Sequence, residues 1–438
     1  MISDSALLLN RAILFVTVLL SGWSAECWAA HWNVGAPSNQ LLDTTAVGTI
    51  GEMSGVTYLG PSPTAGLHRF AAVQNTGGVL LTIDVALSPT GTLLSATAVS
   101  AQTLSMSLDF EGTAYTNPTR NSVFLAEEGT PGIREYSLAN GAQLQSVAIP
   151  SVFANRRANR GFESLARSPD GTTMWTANEQ ALTVDGDVSS AAAGTTVRLM
   201  RMEVAGNSVT AAEQYAYHVD KIHGTSTFGS PQSGLSDLVS LPDGTLLALE
   251  RSVAFTSPLY LNRIYEIDLT AATDVSATPF DAGLIGQIFN PVSKEQLWSG
   301  AADNTNGQNL EGLTLGPRLA NGDWVLLGVV DNGDPVSLNT IVAFPLSANP
   351  SADFDIDGDI DGQDFLAWQR GFGKSIGAAH SDGDADRDGD VDIDDLTFWQ
   401  SAYPAPLSAT TLAVPEPAAI SLLLFIVGSM IAVRRLGN

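Results

Sequence analysis

One hairpin, written five times, constrains this chain more than any other feature. Its clearest copy runs from Arg157 to Glu179, RANRGFESLARSPDGTTMWTANE. It holds a carboxylate, a small residue, strand-like alternation, a Pro-Asp-Gly turn, a second apolar run and another carboxylate. Variants occupy Gly51 to Asn75, Asp109 to Glu128, Ser236 to Arg251 and Asn309 to Asn332. With Ser54, Glu111, Glu163, Asp237 and Glu311 as markers, the spacings are 57, 52, 74 and 74 residues. That is blade spacing with insertions rather than solenoid spacing.

Between residues 31 and 346 the chain reads as short strands punctuated by turns: SPDG at Ser168, LPDG at Leu241, Asn-Gly at Asn140 and Asn321, SPTG at Ser88. Runs such as Val79 to Ile83, Val197 to Val204 and Arg263 to Leu269 are β-branched or alternating, and no long segment has helical periodicity. The expectation is an all-β domain, a β-propeller of six blades: five readable hairpins and a sixth blade closed by the two ends of the domain. The formal net charge of −26 and a complement of only three lysines, Lys221, Lys294 and Lys374, leave no basic stripe for nucleic acid.

Arg11, the apolar run Ala12 to Leu20 and a small-residue cleavage position near Cys27-Trp28-Ala29 read as a secretory signal over residues 1–30, so the chain is expected to be exported. Cys27 is the only cysteine and leaves with that signal, which makes no disulfide available to the mature chain. Glu26 disfavours lipidation of Cys27, because a small residue should precede the lipidated position.

If each repeat is the inner hairpin of a blade, its turn lies at one rim and both of its carboxylate positions lie at the other. Glu111, Glu163, Asp237 and Glu311 then open the first strands, while Glu128, Glu179, Glu250 and Asp331 close the second. Gathered carboxylates repel one another and invite a hard divalent cation, calcium above all. The alternative is structural: the same groups bond turns or neighbouring blades.

The segments RANRGFESLARSPDGTTMWTANEQAL, SGLSDLVSLPDGTLLALERS and NLEGLTLGPRLANGDWVLLGVVDNGD, with DFEG at Asp109 and NRIYEIDL at Asn262, resemble the esterase-like phytase domain family over about His31 to Leu346. The resemblance implies a β-propeller and ester or phosphoester hydrolysis. It carries over onto Glu111, Arg160, Glu163, Glu179, Asp237, Glu250, Arg251, Glu311, Asp331 and Asn332; the first hairpin departs from it with Ser54-Gly55. No Gly-x-Ser-x-Gly elbow, His-Glu-x-x-His helix or Arg-His-Gly signature occurs, which leaves metal-assisted attack by water. The candidate catalytic residues are Glu163, Glu311, Glu111 and Asp237, which hold the metal and orient water, and Arg160 and Arg251, which clamp phosphoryl oxygens. His218 and His223, in YAYHVDKIHG, are either an acid–base pair or incidental loop residues.

After a linker at residues 347–352 the composition turns aspartate-dense. DFDIDGDIDGQD from Asp353 repeats as DADRDGDVDIDD from Asp384, an offset of 31 residues. Asp353, Asp355, Asp357, Asp359, Asp361 and Asp364 thereby superpose on Asp384, Asp386, Asp388, Asp390, Asp392 and Asp395. Carboxylates at alternate positions, glycine at the sixth and an apolar residue at the eighth (Ile360, Val391) are the pattern of paired calcium loops. Aspartate at the twelfth position, where an EF-hand has glutamate, makes residues 353–403 resemble the dockerin type I family, which implies two calcium ions and a cohesin-like or other scaffold partner. A solvated acidic linker is the blander alternative.

Residues 404–417 carry Val414-Pro415-Glu416-Pro417, and residues 418–438 an apolar run ending at Arg434-Arg435. This tail resembles the PEP-CTERM sorting signal read by exosortase-type enzymes; a plain membrane anchor is the alternative. The sequence thus describes an exported, calcium-loaded, phytase-like hydrolase displayed or docked at the cell surface. The competing reading is a non-catalytic, calcium-stabilised binding propeller of the envelope or extracellular matrix.

Overall fold

A computed structural model describes residues 30–225, 231–302, 307–355 and 359–403. Five antiparallel sheets stand around one axis, each led by one of the five hairpins. The innermost strands are Met53–Pro61, Phe110–Tyr115, Ala166–Arg167, Gln232–Ser240 and Leu310–Arg318, for blades 1 to 5. Each packs against the next, and the fifth returns to the first. The propeller has five blades, not the six expected.

The count differs because the two ends of the domain complete blade 5 instead of building another. Trp32–Val34 and Ser38–Leu41 both pair with Thr340–Ala348, from Trp32 opposite Ala348 to Leu41 opposite Thr340. The N-terminal segment is therefore the outer strand of the last blade, which ties the ring shut and covers an open sheet edge.

A blade has neighbours on both faces, so its strands are buried on both sides rather than on alternate residues. Ser122–Glu127 is buried throughout. Five apolar clusters result, one at each blade interface; Phe153, Phe162, Met174 and Met200, for example, fill the seam between blades 2 and 3.

The glycine after the opening carboxylate of blades 2 and 5 has a steric reason. A Cβ on Gly112 would lie 2.3 Å from the carbonyl carbon of Ser164, and one on Gly312 2.3 Å from the carbonyl oxygen of Ser54. Adjacent inner strands approach too closely there for any side chain.

Beyond blade 5, helices α1 (Gly362–Gly371) and α2 (Ile393–Ala402) form a small module with internal two-fold character. Asp361 and Asp392 cap their N-termini, and Asp364 and Asp395 complete the capping boxes. Trp368 donates its indole N–H to the Asp392 carbonyl at 2.8 Å, and Trp399 donates to the Asp361 carbonyl at 3.0 Å. Each helix thus locks the loop of the other.

The module packs on the turn rim of the propeller. Arg387 donates to Asp243 in the blade 4 turn at 3.1 Å, and Arg318 of blade 5 donates to Asp388 at 2.6 Å. The secretory signal, Asp357 and the Pro-Glu-Pro tail with its apolar run lie outside the described residues. Among the described residues no helix is long and apolar enough to cross a membrane.

Candidate functional site

The rim opposite the turns holds a cavity of about 260 Å³. Glu111, Glu163 and Glu311 reach it from the openings of the first strands, and Glu128, Glu179 and Asp331 from the ends of the second. Glu128 packs over Gly161 and Glu179 over Gly234, where added Cβ atoms would lie 2.2 and 2.5 Å from them. Glycine at these two places lets the next blade close over each carboxylate.

Carboxylate oxygens of Asp109, Glu111 and Glu128 lie within 4.8 Å of one another, and so do those of Glu128, Glu163 and Glu179. Glu128 belongs to both groups. Six carboxylates share the cavity with two guanidiniums, those of Arg160 and Arg251, so negative charge is left over. Burial, reinforced by the neighbouring charges, pushes Glu111 and Glu163 well above the ordinary carboxylate range. The same causes raise Glu128 to about 7 and Glu311 to about 8, the latter despite the opposing charge of Arg251. A dense set of oxygen donors, among which Glu111, Glu128, Glu163 and Glu311 resist ionisation, suits a hard divalent cation.

The two arginines are engaged differently. Arg251 donates to Glu179 at 2.7 Å, to Asn309 at 2.6 Å and to Glu311, and its side chain is 10% exposed. Among the described residues Arg160 donates once, to the other oxygen of Glu179 at 2.8 Å, and its side chain is 25% exposed. Arg251 is spent on the site's own carboxylates. Arg160 keeps donors toward solvent.

Blade 4 breaks the pattern, and two residues placed at this mouth by the repeat are elsewhere. Asp237 is buried in the channel wall, where its carboxylate accepts from the amides of Leu238 at 2.8 Å, Leu313 at 2.7 Å and Leu165 at 3.4 Å. It joins blades 3, 4 and 5 as a structural group. Glu250 faces the seam between blades 3 and 4 and bonds Tyr217, Lys294 and the amide of Asp220.

The reason is register. Glu163 stands six residues before the turn proline Pro169, and the residue six before Pro242 is Ser236. A one-residue slip in a strand turns a side chain to the opposite face. Pairing of Ala166 with Trp175 and of Val239 with Leu247 likewise matches Glu179 to Arg251 and Asn178 to Glu250. Blade 4 therefore has Ser236 at the opening position and sends a cation, Arg251, into the mouth where the other carboxylate-bearing blades contribute two acids.

Counting from the turn would also have drawn attention to Asn309, which links Arg251, Glu311 at 2.9 Å and Asp331 at 3.2 Å. Neither histidine of YAYHVDKIHG lines this mouth. His223 is held by Ser252 at 2.8 Å and the Pro258 carbonyl at 2.9 Å, and His218 lies beside Thr196.

A family model described as phytase-like, the esterase-like activity of phytase, matches residues 49–333, which span all five inner hairpins. The chain belongs to the phytase-like family. No curated protein matches it. Among solved structures it is similar to an endo-arabinase from Bacteroides thetaiotaomicron (11% identity, 69% of this chain and 96% of that one, TM-score 0.39). It is also similar to a thermostable family-43 glycoside hydrolase (10% identity, 71% and 94%, TM-score 0.36).

Outside the phytase-like domain, the two-helix module gathers a second set of acids. Oxygens of Asp353, Asp355 and Asp364, of Asp384, Asp386 and Asp395, and of Asp390, Asp392 and Asp395 lie within 4.8 Å in each group. Burial and the neighbouring aspartates push Asp384 up to about 8 and Asp386 to about 6. Asp364 and Asp395 occupy equivalent places, accepting from the amides of Phe354 and Ala385, each at 2.6 Å.

Proposed function

We propose that the acidic mouth of this phytase-like propeller is a calcium-dependent hydrolytic centre for a small ester or phosphoester. One observation carries the reading: Glu128 is shared by two carboxylate triads, with Asp109 and Glu111 on one side and Glu163 and Glu179 on the other. Those five residues would hold the metal. When bound, a divalent cation neutralises phosphoryl charge and acidifies water.

The chain's own groups have separable tasks. Arg160, engaged by one hydrogen bond, is the group free to grip a phosphoryl or carbonyl oxygen. Glu311, half-buried and raised to about 8, holds a proton near neutral pH and can pass it to or from water. Arg251 positions Glu179 and Glu311 rather than touching substrate.

The flanking segments complete the proposal. The chain is exported, its paired aspartate loops bind two calcium ions in the manner of a dockerin facing a cohesin-like scaffold, and its tail is read by an exosortase-type enzyme.

The test is turnover of p-nitrophenyl phosphate and p-nitrophenyl acetate by the purified chain, with calcium and with excess chelator, for wild type, Glu163→Gln and Arg160→Lys. Calcium-dependent turnover that falls about 100- to 1,000-fold in Glu163→Gln supports the enzyme. Arg160→Lys should also be damaging, since lysine lacks the bidentate fork. The engagement of both terminal nitrogens of Arg251 by Glu179, Asn309 and Glu311 favours a second reading, a non-catalytic propeller that uses calcium for stability. Calcium binding with no turnover of either ester would decide for it.

A further inference from the structure

The opposite mouth of the propeller holds a larger cavity, about 490 Å³, at the turn rim. That lies within the range of roughly 300–1,000 Å³ typical of small-molecule sites. The two mouths are chemically unlike. Asp237, with its bonds to Leu165, Leu238 and Leu313, lies between them, and those three leucines line the turn-side cavity.

Among the described residues no carboxylate lines this second cavity, although the chain carries a net charge of −26. Tyr58, Tyr115 and Trp324 contribute half-buried aromatic surface. Its basic groups are His68, Arg318 and Arg167. Burial lowers His68 and favours its neutral form, beside the Tyr58 hydroxyl at 3.2 Å. Arg318 is neutralised by Asp388 at 2.6 Å, with Asp386 at 3.8 Å.

Arg167 is different. Its Nη1 donates to the Thr116 carbonyl at 2.6 Å and its Nη2 to the Gly171 carbonyl at 2.9 Å, while its Nε is buried with no acceptor. Carbonyls orient a guanidinium without cancelling its charge. The nearby acid, Asp170, acts on it only at longer range and is itself bonded by Ser168 at 2.5 Å and by the Thr172 amide at 3.0 Å. A half-buried cation with no direct ion pair among the described residues, beside three aromatic side chains, is costly unless an anion joins it.

We propose that the turn-side mouth is a second binding site, which takes a small organic monoanion: one carboxylate set toward Arg167, and a flat apolar body against Tyr58, Tyr115 and Trp324. A single cation without a direct ion pair selects one negative charge over two. The aromatic walls select a ring over an open chain.

The probe is 2-naphthoate, compared by isothermal titration with its uncharged analogue 2-naphthamide on the full chain. Naphthoate should bind about tenfold or more tightly than naphthamide, as expected for a charge-assisted contact. Arg167→Gln should erase that preference, and Tyr115→Leu should weaken both ligands. Because Arg167 also holds two carbonyls, the wild-type comparison of the two ligands stands as a test even if the Gln variant does not fold. Equal affinity for the two probes, or binding of neither, overturns the proposal. Loss of naphthoate binding in Glu163→Gln overturns it as well, because it would place the anion at the acidic mouth.

Discussion

Arg251 reaches from blade 4 to donate to Glu179 of blade 3 at 2.7 Å, both side chains being almost wholly buried. The contact places a positive charge inside a mouth lined by six carboxylates, and the same guanidinium also grips Glu311 of blade 5. Three blades are thus held together electrostatically at one point.

Arg251→Met should therefore destabilise the fold by about 3–5 kcal/mol, the cost of stranding buried charges without their partner. Arg160→Met, at a side chain one-quarter exposed, should cost about 1 kcal/mol or less. Urea unfolding in chelator distinguishes them. Equal costs would mean that Arg251 does not act as the internal counter-ion.

The pH dependence has a definite sign. Glu128 and Glu311 hold their protons to about 7 and about 8 in the folded chain, against an ordinary value of 4.5. Groups raised by folding contribute stability that is complete below the unfolded value and is lost as pH rises through the folded one. Without metal, the melting temperature should fall from about pH 4.5 to about pH 8, and calcium should flatten that fall. Asp384 and Asp386 act in the same direction, so Glu128→Gln supplies the control: it should shallow the chelated profile between pH 4.5 and 7. A chelated profile that rises over this window would contradict the assignment.

The hairpin repeat was legible because its signals are local: a Pro-Asp-Gly turn, alternation, and a small residue where inner strands meet. So was the gathering of Glu111, Glu163 and Glu311 at one mouth, since strand direction alone decides which rim a residue faces. Three things were hidden. The blade count depends on where the N-terminal strand pairs, a contact between Trp32 and Ala348 that no local pattern announces. Asp237 looked like its counterparts because a carboxylate one position out of register is still a carboxylate. The turn-side cavity has no motif, being assembled from one or a few residues of each blade.

The steric role of the repeat's glycines is testable. Gly112→Ala would set a Cβ 2.3 and 2.4 Å from backbone atoms of Ser164 and Leu165, which cannot move without opening the seam between blades 2 and 3. A loss of about 1–3 kcal/mol or more is expected, as for overpacking elsewhere. Gly129→Ala is the control, since its nearest neighbours would be 3.9 and 4.0 Å away. If both variants melt alike, close approach of inner strands is not the constraint.

The contact between the two-helix module and the propeller rests on few groups, which makes it separable from the propeller's own stability. Arg387, in the left-handed region at φ 58°, sends its side chain out of the second aspartate loop to Asp243, and both side chains are almost completely buried. Among the described residues its Nε and Nη2 have no acceptor, so this buried pair is incompletely satisfied and holds the module less firmly than its burial suggests. Asp243 keeps other donors when Arg387 is removed, namely Trp32 Nε1 at 3.2 Å and the Thr245 amide at 3.0 Å. Arg387→Ala combined with Arg318→Ala should therefore leave the propeller's melting temperature nearly unchanged while freeing the module to detach. Limited proteolysis at residues 350–352 reads this directly, because cleavage follows the population of the open form. Each ~1.4 kcal/mol of docking lost should speed that cleavage about tenfold. Asp243→Asn should differ from the double variant, lowering the melting temperature as well, since it also weakens the hold of Trp32 in the strand that closes the ring. Unchanged cleavage in the double variant would show that Arg387 and Arg318 do not hold the module in place.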